Sequence, residues 1–499
     1  MRHRFIFISM TFLGILFASC NDWLDVQPED QRKEDDMFSH YKGYRNALSG
    51  CYAAMGHTSV YGQKLTTSDI ELLAGMWEMM DNSGTNYDLT THNYNDGVRS
   101  TIQDIYSKMF NVIVQTNKII AHAEADGGAF PDEATRSVIL GEAYAIRAYC
   151  QLDVLRLFGE VPGGDGEKVS LPYSEVKAFD ERATRYDFSG YAEKLLTDLK
   201  RAEDLLKDND PIFQYTYSFL NTPAYFEKAL EDTYMAYRQS RLNYWAVKAL
   251  QARTYLYLGR TGEAYAAAKA VIDAKDKENR PVMELSGHTD RGQRRYACPG
   301  ECLFYLSKHD IKAATSMLAA NAFSAERSNL LISVKRLTEK LFPENKDSDS
   351  RYTQGWNKQV EVNGLKDMYA AIRKYYYDVD NVTDASLYYE IVPMLRMAEV
   401  VLIGIETTPD VQEANKWYAD YLLKGCGVAG DDRFTSQTDR LEVLLPEYAR
   451  EFFAEGQMFY AYKRVGASET LFGEKIAPED YVLMAVFVPI GFMGGMTGV

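Results

Sequence analysis

Histidine and cysteine are scarce in this chain, at seven and six of 499 residues. The histidines are scattered, and no cysteine has further Cys or His at ligand spacing, so no metal signature is present. Past Cys20, the five cysteines Cys51, Cys150, Cys298, Cys302 and Cys426 are too few, and odd in number, for a disulfide scaffold. Cys51, Cys150 and Cys426 stand in apolar helical contexts, where a thiol acts as a small hydrophobe. Cys298 and Cys302 bracket Pro-Gly-Glu and leave a local disulfide open in an oxidising compartment. Positive charge is also short: 55 Lys and Arg face 71 Asp and Glu, a net charge of −16. That excludes a nucleic-acid partner, which needs a basic surface, and gives no attraction to an anionic membrane. After the first twenty residues, no apolar run reaches the roughly 20 residues that cross a bilayer. The end, Ala485 to Val499, is apolar but broken by Gly491, Gly494, Gly495 and Gly498, and reads as a packed irregular tail.

Catalytic signatures are missing as well. There is no HExxH, no GxSxG, no P-loop and no dinucleotide fingerprint. The paired carboxylates of a glycosidase form no recognisable constellation here, and no enzymatic activity is expected. Asp378, Asp380 and Asp384 are spaced as in a calcium loop, but Thr383 and Tyr389 replace its glycine and its bidentate glutamate. No cofactor is expected, with calcium at these aspartates the one option.

What is present begins at the N-terminus. Arg2, His3 and Arg4 precede an uncharged stretch, Phe5 to Ala18, too short to span a membrane. Phe17-Ala18-Ser19 before Cys20 resembles a bacterial lipobox, with Leu16 one place early of the usual −3 leucine. The expectation is a signal peptide over residues 1–19, lipidation of Cys20, and a polar leader over 20–38. Several acyl chains would hold the protein at a membrane that its charge does not favour.

Residues 39–499 read as one mostly all-α domain. Helices are expected from Ser39 to Met55, Ser100 to Glu124, Asp132 (as cap) to Phe158, and Ser189 to Lys207, the last with Tyr191, Leu195, Leu199, Ala202 and Leu206 on one face. Near 241–275, Ala252, Tyr255, Gly259 and Ala264 occupy the small, aromatic, turn and small positions of a tetratricopeptide-like helix pair. A second pair is expected near 390–425, starting at Leu395-Arg396-Met397-Ala398-Glu399. Loop-rich insertions are expected over 76–99 and 276–387, where Gly, Pro, Asp and Asn accumulate; loops on a rigid scaffold are where binding residues collect.

Separated segments then resemble one family, the RagB/SusD-like outer-membrane nutrient-binding lipoproteins of Bacteroidetes. Ser19-Cys20-Asn21-Asp22-Trp23-Leu24-Asp25-Val26-Gln27-Pro28 is similar to the family's start. Gly141-Glu142-Ala143, Arg147-Ala148-Tyr149 and Leu155 to Pro162 resemble its best-marked stretch. Arg185, Tyr191, Asp198-Leu199 and Ala202 follow, then Ala246, Lys248, Ala252-Arg253 and Tyr255-Leu256. Leu395-Arg396, Ala398-Glu399 and Leu402, with Arg450-Glu451, Glu455-Gly456 and Arg464, resemble the C-terminal half. The resemblance implies a tetratricopeptide-like helix-pair scaffold with an irregular loop-rich half. It also implies a lipid-anchored protein of the outer membrane, facing the exterior, that captures oligosaccharides and passes them to a TonB-dependent transporter. Peptide capture is the alternative within the family; a helical-repeat scaffold binding only protein is the alternative outside it.

A glycan site needs an aromatic platform fringed by amides and carboxylates. Tyr outnumbers Phe, 36 to 23, which favours wet aromatic surfaces. The first loop region offers Trp77, Asp81, Asn82, Asn86, Tyr87, His92, Tyr94 and Asn95, and the resemblance implies ligand contacts there. The middle insertion offers Tyr352, Trp356 and Asn357. Trp77 could equally extend a helical pattern from Leu72. Trp245 and Trp417 read as helix packing, and Glu399, Arg450 and Arg464 as residues that hold helices together.

Overall fold

The computed structural model describes residues 29–125, 128–166, 168–177, 181–378 and 385–484. The signal peptide, Cys20, the tail over 485–499, and Asp380 and Asp384 of the calcium spacing lie outside the described residues. The helices that matter below are α1 (Glu29–Phe38), α2 (Tyr41–Met55), α3 (Asp96–Glu124), α4 (Glu133–Phe158), α5 (Phe188–Leu206), α6 (Tyr244–Tyr257), α7 (Thr261–Ile272), α8 (Met397–Thr407), α9 (Val411–Asp420), α10 (Arg440–Glu451) and α11 (Met458–Val465). The expected polar leader therefore ends in a helix, α1, that packs on α2.

From α2 to α9 each of these helices packs on the next, so every apolar face is buried against a neighbour and a stack of helix pairs results. The caps follow from composition. Asp132 accepts from Thr135 N at the start of α4, Asn95 from Val98 N at α3, and Asp187 from Gly190 N at α5. Gly259, at φ +71°, makes the turn between α6 and α7 that a β-carbon would resist. A β-carbon on Gly141 would stand 2.8 Å from Leu206, so this glycine lets α5 lie close on α4.

Helix α4 is buried from Ser137 to Phe158, polar residues included, and each charge it carries inward needs a partner. Arg147 forks onto Asp198 of α5 with two bonds of 2.7 Å. Glu142 accepts from Tyr52 at 2.7 Å and from Arg241 at 2.9 Å, and is paired with Arg238. Arg253 of α6 forks onto Glu399 of α8 with two bonds of 2.6 Å.

The insertion over 276–387 holds more strand than expected. Strands β1 (Leu171–Tyr173) and β2 (Thr184–Tyr186) form a hairpin ahead of it. Within and after it, β3 (Cys302–Ser307) pairs antiparallel with β8 (Ile391–Arg396). Four more strands, β4 (Ser324–Ala325), β5 (Ile332–Ser333), β6 (Trp356–Val362) and β7 (Met368–Ile372), form a sheet in the order β4-β6-β7-β5. The second helix pair consequently starts at Met397. Leu395 and Arg396, expected in the helix, end β8, where Ile391-Val392 suits a strand pairing with β3. Cys298 and Cys302 are free, buried thiols: Arg291 donates to Cys298 Sγ at 3.1 Å, and Cys302 Sγ donates to Cys298 O at 3.4 Å.

One buried carboxyl is held against its ordinary titration. Glu71 is fully buried and accepts from Gly456 N at 2.7 Å through Oε1, and burial pushes it up to about 8. The raised value means the folded state holds a proton that the unfolded chain releases near 4.5. Its contribution is therefore complete below that pH and is lost as pH rises through about 8. Glu71→Gln is expected to flatten the loss of unfolding midpoint across this window; parallel curves for both proteins would assign the loss elsewhere.

Candidate functional site

Trp77 and Trp356, expected as ligand platforms, lie inside the core. Trp77 is fully buried, its Nε1 donating to Thr67 O at 2.8 Å, and Trp356 is nearly so. Both stand edge-on to one ring, Phe453, at 4.8 and 4.9 Å between centroids. The two indoles join the first loop region to the sheet through that phenyl, and neither has a face left for a sugar. Tyr352 is also engaged: Lys358 Nζ sits 4.1 Å over its ring, and its hydroxyl lies 3.3 Å from that of Thr338. Tyr94 donates to Asp480 O at 2.8 Å, tying the C-terminal segment down. Asn95 caps α3 and donates to Asp88 at 2.7 Å. Of the expected site residues, Asp81 and Asn82 are exposed and Tyr87 half-buried, the last within a short helix, Thr85–Thr90.

The segment that carries Asp81 and Asn82 is clamped to the sheet. Glu78 N donates to Leu331 O at 3.0 Å, Ser333 N donates to Glu78 Oε2 at 2.7 Å, and Met80 packs on the cluster of Leu331, Val360 and Tyr369. Asp81 meets Arg327 at 3.2 Å. The two expected regions are thus brought together, but the residues exposed at their junction come from a third segment, 312–327, which sequence reasoning passed over as insertion loop.

That segment presents Phe323, 80% exposed. Its backbone is fixed: Glu361 N donates to Phe323 O at 2.9 Å, and Asn357 Nδ2 to Ala322 O at 2.8 Å. Two residues earlier, Asn321 lines a pocket of 180 Å³ with Lys312, Thr315, Ser316, Tyr376 and Tyr377. Burial and the bond it donates to Glu390 push the Tyr377 hydroxyl up to about 12, so it remains a donor at neutral pH. Lys312 Nζ lies 4.0 Å over the Tyr377 ring. An apolar face held in water beside amides, hydroxyls and phenols fits a ligand with apolar faces and a hydroxyl fringe. The pocket lining contains no carboxylate, and so no acid–base pair of the kind bond cleavage by a glycosidase needs. Among the described residues, no three His, Cys, Asp or Glu stand together as a metal site. Phe323 carried little sequence signal, because its alanine-rich surroundings, Ala319-Ala320-Asn321-Ala322-Phe323-Ser324-Ala325, do not mark it as exposed.

Comparison with known proteins agrees with this architecture. Residues 22–225 match a SusD-like family described as starch-binding and associating with the outer membrane. SusD-like protein P2 of Formosa agariphila is 24% identical over 238 residues, which span 46% of this chain and 44% of that one. The chain thus matches less than half the length of that relative. A SusD superfamily protein from Bacteroides thetaiotaomicron superposes with a TM-score of 0.65 at 20% identity, over 89% of this chain and 96% of the other. A laminarin binding SusD-like protein superposes with a TM-score of 0.61 at 14% identity, over 91% and 96%. At these identities the structural likeness is one of fold.

Proposed function

This chain is a SusD/RagB-like protein, and on that footing we propose that it captures oligosaccharides outside the cell without chemically altering them. The observation that carries the reading is Phe323, an exposed ring on a rigid backbone, two residues from Asn321 of the tyrosine-lined pocket. The family is one of carbohydrate binding and not of catalysis, and its description supports a place at the outer membrane. In this reading Cys20 carries the lipid anchor, the protein faces the exterior, and a TonB-dependent transporter receives the captured sugar. No helix among the described residues is long and apolar enough to cross a membrane. Affinity is modest, because transfer requires release.

Retardation of the purified chain in gels containing starch or laminarin tests the proposal. Phe323→Ala is expected to weaken retention about tenfold, roughly 1.4 kcal/mol, with an unchanged unfolding midpoint, since the ring is exposed. Retention that is unaffected by this substitution would remove the site, and binding of peptides in place of glycans would overturn the ligand class.

A further inference from the structure

A second groove lies along the segment 211–225 and shares no lining residue with the pocket at Asn321. It is built from two cavities, of 450 and 750 Å³, each within the usual range for ligand sites. They share Ile212, Thr216, Asp276, Arg280 and Val282, which places them side by side along one trough. Phe213, Tyr215, Phe219 and Trp245 line the smaller part. The rings are preorganised: Tyr215 stacks on Phe219 at 4.7 Å and 15°, and Phe219 on Tyr225 at 5.8 Å and 23°, with Tyr225 56% exposed. The larger part has little aromatic lining but many hydroxyls and amides, among them Ser218, Asn221, Thr222, Gln239, Ser286 and Thr289.

The backbone around the trough is held by local bonds. Thr216 caps the turn of Tyr217–Leu220 by accepting from Phe219 N. The rim over 275–282 is a tight loop in which Asp276 accepts from Glu278 N and Arg280 N, both at 2.9 Å. Gln239 spends its amide nitrogen on Cys302 O at 2.6 Å and receives Asn221 Nδ2 at 2.6 Å on its oxygen. This fixes the Asn221 side chain at the polar end of the trough.

We propose that this trough is a second oligosaccharide-binding site, stacking sugar faces on Tyr215 and Trp245 and hydrogen-bonding hydroxyls along the polar part that Asn221, Thr222 and Ser286 line. The charges that line it balance, Lys275, Lys277 and Arg280 against Asp276, Glu278 and Glu284, and with the aromatic rings and hydroxyls this suits a neutral chain of sugar rings better than a polymer of one charge sign. The inference rests on the oligosaccharide reading above and adds a separate place of contact.

Titration calorimetry of the full chain with maltohexaose and laminarihexaose tests it, alongside Tyr215→Ala, Asn221→Ala and Phe323→Ala. The expected result is about two equivalents bound by the unaltered chain. One equivalent should remain after Phe323→Ala, and the other should weaken at least about fivefold after either trough substitution. Trp245 gives a second readout: sugar should change the tryptophan fluorescence of Phe323→Ala, and the change should vanish in Phe323→Ala with Trp245→Phe. A single equivalent lost with Phe323→Ala and untouched by both trough substitutions would overturn the second site while leaving the function standing. Absence of any sugar binding would overturn both.

Discussion

Arg396→Ala is expected to lower stability by at least about 3–5 kcal/mol, the cost of leaving buried charge without its partner. Set against a typical total of roughly 5–15 kcal/mol, this brings the protein close to unfolding. Arg396 is buried and holds three acidic side chains: Glu301 at 2.5 Å, Glu451 at 2.8 Å and Glu455 at 2.7 Å. Glu451 is shared with Arg351, which also binds Glu447 at 2.6 Å and Asp349 at 2.6 Å. Removing one guanidinium therefore uncovers carboxylates contributed by β3's leading turn, by α10 and by the segment after it. Arg396→Lys should not rescue fully, because an ammonium cannot reproduce the planar fork that reaches Glu451 and Glu455 together. The check is a thermal melt, in which both variants should unfold well below the unaltered chain. An Arg396→Ala midpoint within a few degrees of it would mean that water has entered and solvates the cluster.

The same cluster sets acid sensitivity. Burial alone would raise Glu447, but Arg351 and Arg450 overcome it and hold the carboxyl at about 2. Glu451 is likewise held down, against burial, by Arg396, Arg291 and Arg351. Carboxyls whose folded values lie below 4.5 stabilise the protein above that pH, and the contribution fades as pH falls toward about 2.

Trp77→Ala is expected to cost about 3–5 kcal/mol, as truncating a buried aromatic side chain does. The indole is fully buried, its N–H is satisfied by Thr67 O, and its loss leaves one side of Phe453 unsupported. Trp356→Ala should act alike, and the double variant should cost less than the sum, because both indoles pack on the same ring. Unfolding midpoints in denaturant measure this directly. A Trp77→Ala chain of unchanged stability but weakened glycan binding would return Trp77 to the role of a platform.

The helical scaffold was legible in the sequence because its signals are local. Asp132, Gly259 and the one-sided run from Tyr191 to Leu206 are caps, a turn and a period that depend on near neighbours. The family resemblance was legible for a related reason. Its quoted residues turn out to be partners of one another: Arg147 with Asp198, Arg253 with Glu399, Arg396 with Glu451 and Glu455. Buried ion pairs tolerate little substitution, since losing one member strands the other.

The binding surface was less legible because exposure is a long-range property. A tryptophan beside a loop-rich stretch reads as a candidate platform, yet Trp77 and Trp356 both pack inward on Phe453, which lies far along the chain. Phe323 stands outward because it leads into β4, whose pairing with β6 fixes its carbonyl through Glu361 N while its ring stays 80% exposed. The strands β3 and β8 were missed for the same reason, since their pairing joins residues almost ninety positions apart, such as Tyr305 and Pro393.

Titration of the full chain with maltohexaose and laminarihexaose, followed by chromatography of the recovered sugar, tests the central claim of capture without chemistry most directly. The account predicts saturable binding of at least one of the two glycans, weakened by Phe323→Ala, with the sugar recovered at its original length. Shortened sugar would contradict it, as would binding of neither glycan by a chain that binds peptides.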